Sequence, residues 1–378
     1  RPPGLVRCEI FLKLRGALAR AKCVARLAAT HLLLRTHRRT AQGSRGSLLV
    51  YGHPASGTDG TDGYFGDLMQ QHTELQRILH VDCGLSRARL LSSDGRTSSL
   101  HAWGNVIGAL SCITTYWKPG RALLRGPEGW LIRRAAILER STAQAAIIRW
   151  QLICQHQWLK TVKPRTVAWP WESHAWERGF VEAARSVGTS TVGYQHSVVG
   201  RQMINYSPGS LRAGDLLPDQ ILCTGETTAR HLVALGIPEE RVAIGGALRY
   251  AQSAAPQHDP DAPVFVALPF DKLVGQEMVS AVCRAANEHR RFVVKDHPMT
   301  PFEFDDTEFV RRTDKRLNEL QKVSSVIYSA TTVGLEALIM QLPTYRFLPS
   351  ARIAIHVLPQ GLEAPTVSAS NLATALEN

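Results

Sequence analysis

The chain has 378 residues, 44% hydrophobic and 20% charged, which supports a sizeable core and excludes a disordered protein. No apolar run reaches the roughly 18–20 residues of a membrane-spanning helix, and seven scattered cysteines without a CxxC pair argue against a zinc module or a disulfide framework and read as buried thiols in a reducing compartment. The net charge of +12 is concentrated: residues 1–42 hold ten Lys/Arg against Glu9, leaving only +3 on the rest, too little for a nucleic-acid binder.

Residues 1–42 predict a basic amphipathic helical segment, with Ile10, Phe11, Leu14, Leu18 and Leu27 interleaved with Lys13, Arg15, Arg20, Lys22 and Arg26. Such a helix either lies on an anionic membrane surface or packs on the body with its arginines in solvent. Its arginines run through the apolar stretch, unlike a signal peptide, and a first residue that is not Met implies residues before it. After the Gly43-Ser44-Arg45-Gly46 break, 47–51 reads as a buried parallel strand, 53–63 as a Gly-rich loop and 64–69 as the opening of a helix. That order begins a doubly wound α/β domain, although the loop carries neither GxGxxG nor GxxxxGKS. Residues 85–165 read as mainly helical. All eight tryptophans fall between Trp103 and Trp176, either in the core or on a sugar-stacking or membrane-interface surface.

From 166 onward the pattern alternates again. Strands are expected at 166–169, 190–194, 220–223 and 241–245, with helices at 177–187 and 227–235. The Pro/Ala/Gln-rich stretch 251–263 reads as a linker. Beyond it, strands at 264–268, 291–294, 325–328 and 344–347 alternate with helices at 276–289 and 333–340, before a final helix. The expected fold is therefore α/β, two Rossmann-like doubly wound domains (43–250 with a helical insertion, and 264–378) facing a central cleft, behind the helical segment 1–42.

Four motifs follow strands. In Trp169-Pro170-Trp171-Glu172-Ser173-His174, Glu172 is a candidate general base and His174 a candidate acceptor contact, while Glu177 either starts a helix or pairs with Arg178. In Gly193-Tyr194-Gln195-His196, His196 is placed at a sheet mouth. In Lys295-Asp296-His297-Pro298, Lys295 and His297 could hold a phosphate beside the turn fixed by Pro298. In Tyr328-Ser329-Ala330-Thr331-Thr332-Val333-Gly334-Leu335-Glu336, Ser329, Thr331 and Thr332 stand where a helix start could bind an anion. Glu336, one turn in, could reach ribose hydroxyls. The alternative for those hydroxyls is ordinary helix capping.

The order GYQH, PDQILCTGETTARHLVALGIPEERVAIGGALRY, KDHP and YSATTVGLEALIMQLPTY resembles GT-B glycosyltransferases of bacterial surface-carbohydrate synthesis, over residues 166–350. Sialyltransferases, polysialyltransferases and capsule Kdo transferases are the most similar, and teichoic-acid glycerophosphotransferases share a similar motif pair. The resemblance implies that His297 and Pro298 with Ser329, Thr331, Thr332 and Gly334 hold the phosphate of a CMP-linked sugar, and that Glu172 matches the acidic catalytic position and serves as the base. In the expected reaction Tyr64, His174 and Gln195 meet the acceptor and His196 positions an acceptor or donor carboxylate; the resemblance further implies that the last helix crosses back onto the first domain. This chain has Ser329-Ala330-Thr331 where many relatives have adjacent serines. No DxD-type cluster is present, so the expected transfer needs no metal and no cofactor beyond the nucleotide-sugar donor. The expected partners are that donor, a surface-glycan or lipid-linked acceptor and an anionic membrane met through 1–42. The expected place is cytoplasmic, peripheral on the inner face of a bacterial plasma membrane. UDP-GlcNAc 2-epimerases look similar around 220–250 and 295–340, and a non-catalytic polysaccharide-assembly subunit is a third reading.

Overall fold

The computed structural model describes residues 3–38, 46–200, 203–207, 216–248, 255–298, 300–301, 303–350, 352–359 and 361–377, with side chains from residue 8 onward. The expected break at Gly43-Ser44-Arg45 and positions 251–254 of the expected linker lie outside these residues. Contacts divide the chain into two units, residues 1–194 with 212–222, and residues 195–211 with 223–378.

The first part of the chain carries α1 (Pro3–Leu34), β1 (Gly46–Val50), α2 (Leu68–Gln71), β2 (Gln76–Leu79), α3 (Leu85–Ser92), β3 (Thr97–Ser99), α4 (Val106–Ser111), α5 (Arg121–Arg125), α6 (Gly129–Arg140) and α7 (Gln144–Val162). β4 (Thr166–Pro170), α8 (Ala175–Ser186), β5 (Ser190–Gln195), β6 (Gln220–Cys223), α9 (Glu226–Ala234) and β7 (Val242–Ile244) follow. The sheet order is β3-β2-β1-β4-β5-β6-β7, parallel from β3 through β5. The apolar run Leu48-Leu49-Val50 is buried on both faces, as a central parallel strand must be. Trp150, Cys154 and Trp158, four apart on α7, form one buried stripe, and Trp169 meets Phe180 of α8 edge-on at 5.2 Å.

The second part has β8 (Gln257–His258), β9 (Val264–Ala267), α10 (Lys272–Ala285), β10 (Phe292–Lys295), β11 (Val310–Arg312), β12 (Lys322–Val323), β13 (Val326–Tyr328), α11 (Val333–Ile339), β14 (Thr344–Phe347), β15 (Thr366–Val367) and α12 (Leu372–Ala375). Its six-stranded sheet runs β11-β10-β9-β13-β14-β15, all parallel. Val264 and Val266 pack with Met278 and Val282 of α10, while Phe265 and Ala267 pack with Ala337 of α11 on the opposite face. Both sheets thus have the 3-2-1-4-5-6 order of a doubly wound unit, the pair of Rossmann-like units that a GT-B chain requires.

Four expectations change. First, of the two readings of the amino-terminal helix, α1 follows the one in which it packs on its unit, but not all of its arginines are in solvent. Arg20, Cys23, Val24, Leu27, His31 and Leu34 of α1 are buried, and a Cβ at Gly16 would lie 1.9 Å from the Arg140 carbonyl oxygen. Arg20 donates from Nη1 to that carbonyl at 2.8 Å, satisfying the end of α6, and from Nε to the Ile113 carbonyl at 3.1 Å. Second, the end of the expected linker is structured: β8 pairs with β12, and Asp259 meets Lys322 Nζ at 2.8 Å. Third, the final helix packs on α10 within its own unit through Leu372. Fourth, six tryptophans are buried while Trp117 and Trp130 are exposed, and Cys8 and Cys283 are exposed rather than buried.

Candidate active site

In each sheet the strand order reverses between two neighbours, β1 and β4 in the first and β9 and β13 in the second. Ligands of doubly wound sheets bind outside the carboxyl ends of such a pair. Among the described residues four non-glycines have left-handed φ, and two of them sit at these ends: Ser173 (57°) beyond β4 and Ala330 (47°) beyond β13. Such a conformation costs about 1–3 kcal/mol at a non-glycine residue and persists where the surroundings fix the loop.

At the β1/β4 end, Glu172 Oε2 lies 2.7 Å from Nε2 of a half-exposed His174. This hydrogen bond raises the His174 pKa, with burial opposing it. Behind the pair Glu177 is buried. It does not pair with Arg178 as one reading expected; its carboxylate accepts from Trp169 Nε1 (3.2 Å) and from the backbone N–H groups of Glu172 (3.1 Å) and His174 (3.2 Å). Burial pushes its pKa up to about 7. Glu177 therefore builds the loop that presents Glu172. Tyr51, the residue after β1, stacks on His80 at 4.4 Å; its phenol is pushed up by burial and then by the charges of Glu177 and Glu172. His80 is enclosed by Tyr51 and Trp176, and burial lowers its pKa to about 3. Sequence reasoning missed Tyr51 and His80 as site residues. The signal for Tyr51 was its place at the end of the first strand.

Tyr64 is brought to this edge, its ring 6.1 Å from Tyr51 and 5.2 Å from His53. The Gly-rich loop that carries it is held by a buried arginine. Arg77 donates to the carbonyls of Gly57 (2.7 Å) and Thr61 (3.0 Å), to Thr97 Oγ1 (2.9 Å) and to Asp94 Oδ2 (3.1 Å). These loop carbonyls face a cation. Gln195 and His196 depart from expectation: both are buried, at 0% and 5% exposure, and the Gln195 amide donates to the Ser197 carbonyl. Neither is displayed at an open sheet mouth.

At the other reversal, Lys295, Ala267 and Tyr328 stand level in register on β10, β9 and β13. The His297 turn and the Ser329–Thr332 loop therefore leave the sheet at the same height, two strand spacings (about 10 Å) apart. Phe270, from the loop that follows β9, meets the half-buried His297 edge-on at 5.5 Å, and Pro298 is exposed in the turn. Thr331 and Thr332 are half-buried, and Thr332 occupies the start of α11 without capping it through its hydroxyl. Gly334 is required by packing, since a Cβ there would fall 2.4 Å from the Tyr328 ring. Glu336 lies half-buried in the first turn of α11.

Two expected ligands are committed elsewhere. Ser329 is fully buried and donates its hydroxyl to the Phe347 carbonyl at 3.0 Å, so that proton cannot serve a phosphate. Lys295 Nζ is held by the Asp314 carbonyl at 2.5 Å, beyond β11 and away from β13. Arg346, level with Tyr328 on β14, was not foreseen. Its Nη2 donates to the Ala354 carbonyl at 2.9 Å, while its Nε is buried without a partner among the described residues. Among those residues no group of three His, Cys, Asp or Glu could hold a metal, and no helix is long and apolar enough to cross a membrane.

The sheets define the class, an α/β chain of two doubly wound units. No family model matches the chain, and no curated protein matches it in sequence. In structure it is similar to HepE of Anabaena solved with UDP and glucose, at 10% identity over 88% of this chain and 89% of that one, TM-score 0.43. It is also similar to UDP-N-acetylglucosamine 2-epimerase of Rickettsia bellii (13%, 82% and 80%, TM-score 0.44). A third similar structure is the glycosyltransferase SnogD of Streptomyces nogalater (12%, 80% and 81%, TM-score 0.39). These likenesses are of fold outline alone.

Proposed function

We propose that this chain is a glycosyltransferase that moves a sugar from a nucleotide donor to a hydroxyl acceptor without a metal. The observation that carries this reading is the level register of Lys295, Ala267 and Tyr328. It brings the His297 turn and the Thr331/Thr332 loop to one edge of the second sheet at its reversal point. In this reading Thr331 and Thr332, whose loop is fixed by the strained Ala330, donate to the donor phosphate, and His297 supports the charge that grows on it. The sugar–oxygen bond to the phosphate breaks, its electron pair stays with the nucleotide, and the acceptor oxygen bonds the sugar carbon. The Glu172–His174 pair takes the acceptor proton: the neutral imidazole accepts it, and the carboxylate orients the ring and stabilises the imidazolium that forms. The Arg346 guanidinium favours a donor bearing a further anionic group. A CMP-linked nonulosonic acid or Kdo has that chemistry, and the acceptor is then a surface glycan or lipid-linked saccharide. The matching location is the inner face of a bacterial membrane.

Thermal unfolding with CMP, CDP, UDP and GDP tests the donor class, because a ligand bound only to the native state raises the transition temperature. CMP should give the largest rise. A rise with UDP alone, followed by product from UDP-GlcNAc without an acceptor, would replace this reading with an epimerase. No rise with any nucleotide would leave a non-catalytic subunit.

A further inference from the structure

The hairpin α5–α6 leaves part of its apolar surface in water, while Leu124, Ile132, Ala136 and Ile137 are half-buried. Neither helix buries a side chain: α5 has no buried residue, and α6 has only Gly129. Trp130, Arg134 and Leu138 are spaced four apart and form one line along α6, with Leu131 beside it. Trp130 is 67% exposed, Leu131 51% and Leu138 50%; Leu123 of α5 is 54% exposed. A helix of a water-soluble surface would carry polar residues there. The net charge around these side chains is positive. Residues 118–140 hold six Lys/Arg against Glu128 and Glu139, a balance of +4. α1 packs against α6 and carries Phe11, Leu14 and Leu18 exposed on the side opposite its buried face.

We propose that the α5–α6 hairpin is a docking surface for an anionic lipid bilayer. Trp130, Leu131 and Leu138 enter the boundary between headgroups and acyl chains, and Arg121, Arg125, Arg133 and Arg134 meet lipid phosphates. The arginines can lay their stems along the apolar side chains while the guanidinium groups reach the headgroups. Charge selects this occupant over a second copy of the chain. A two-fold contact would bring the same arginines of two copies together, whereas an anionic surface neutralises them. This surface differs from the expected one on residues 1–42, whose α1 is fastened into its unit through Arg20, Cys23, Leu27 and His31. It is independent of the donor reading, because nucleotide binding is measured in free solution.

The test is co-sedimentation of the full chain with phosphatidylcholine vesicles, with and without phosphatidylglycerol. It compares wild type with Trp130→Ser/Leu138→Ser and with Arg125→Gln/Arg134→Gln. These side chains are exposed, so the variants should keep the wild-type circular dichroism. Wild type should bind only the anionic vesicles, and each double variant should lower the partition coefficient by about tenfold or more. Quenching by brominated lipid should be weaker in Trp130→Phe than in wild type, which checks the docking residue without either double variant. Wild type staying in the supernatant, variants that bind equally, or a wild-type dimer that these substitutions dissolve would overturn the proposal.

Discussion

His174 and Glu172 form a pair in which each changes the chemistry of the other. The carboxylate lies 2.7 Å from the imidazole and stabilises its protonated form, so the histidine pKa lies above its ordinary 6.5. Glu172→Gln removes the negative charge and keeps an oxygen that can accept a hydrogen bond. The His174 ring signals, followed by NMR against pH, should then titrate at lower pH than in wild type. An unchanged titration would mean that the pair does not persist in solution. Glu177 was legible as a helix-start acid, since it closes a capping box at the start of α8, but its burial and the bond it accepts from Trp169 Nε1 of β4 were not. Ser329 misleads: a hydroxyl in the expected motif turns toward the next strand and bonds Phe347.

Elements are joined here by polar groups that hydrophobic periodicity does not show. β3 is Thr97-Ser98-Ser99, wholly buried yet polar, and was illegible because its stability comes from Arg77 and Asp94 bonding Thr97. A buried arginine between carboxylates is costly to remove, about 3–5 kcal/mol when one partner is deleted, since the remaining charges stay in the interior. β1, β9 and β13 were legible because buried parallel strands are short continuous apolar runs. His101 links α1, α7 and the turn after β2 in one hydrogen-bond chain. It donates from Nε2 to the Val81 carbonyl (3.0 Å), accepts at Nδ1 from Trp150 Nε1 (3.0 Å), and its own carbonyl accepts from His31 Nδ1 (2.9 Å). Only the neutral ring satisfies that arrangement, and burial lowers its pKa to about 4. The unfolded chain takes up a proton near pH 6.5 that the folded one refuses until about pH 4, so the His101 contribution to stability falls as pH drops through this window. His101→Gln cannot titrate. The stability difference between wild type and this variant, from urea unfolding, should shrink by about 2 kcal/mol between pH 7 and pH 5. A difference independent of pH would show that the folded protein accepts the proton readily.

For the whole molecule, two sheets with the same strand order each place a strained loop beyond the fourth strand, at Ser173 and at Ala330. Alternating strand and helix patterns made both units legible in the sequence. The unit to which α1 and α12 belong was not legible, because a helix carrying apolar residues on more than one side does not say which side is inward. α1 buries Cys23, Leu27 and Leu34 and leaves Phe11, Leu14 and Leu18 in water. The candidate phosphate site was half legible: KDHP and SATT each follow a strand that the sequence shows, and these two strands end level in the sheet, while the burial of Ser329 and the capture of Lys295 depend on strands adjacent only in space. The claim that the Thr331/Thr332 loop holds the donor phosphate is tested most directly by calorimetric titration of CMP into wild type and Thr331→Val/Thr332→Val. The variant keeps the shape of both side chains and removes two hydroxyl donors to a charged group, so affinity should fall by roughly ten- to a hundredfold with unfolding unchanged. Equal affinity for the two proteins would contradict the account.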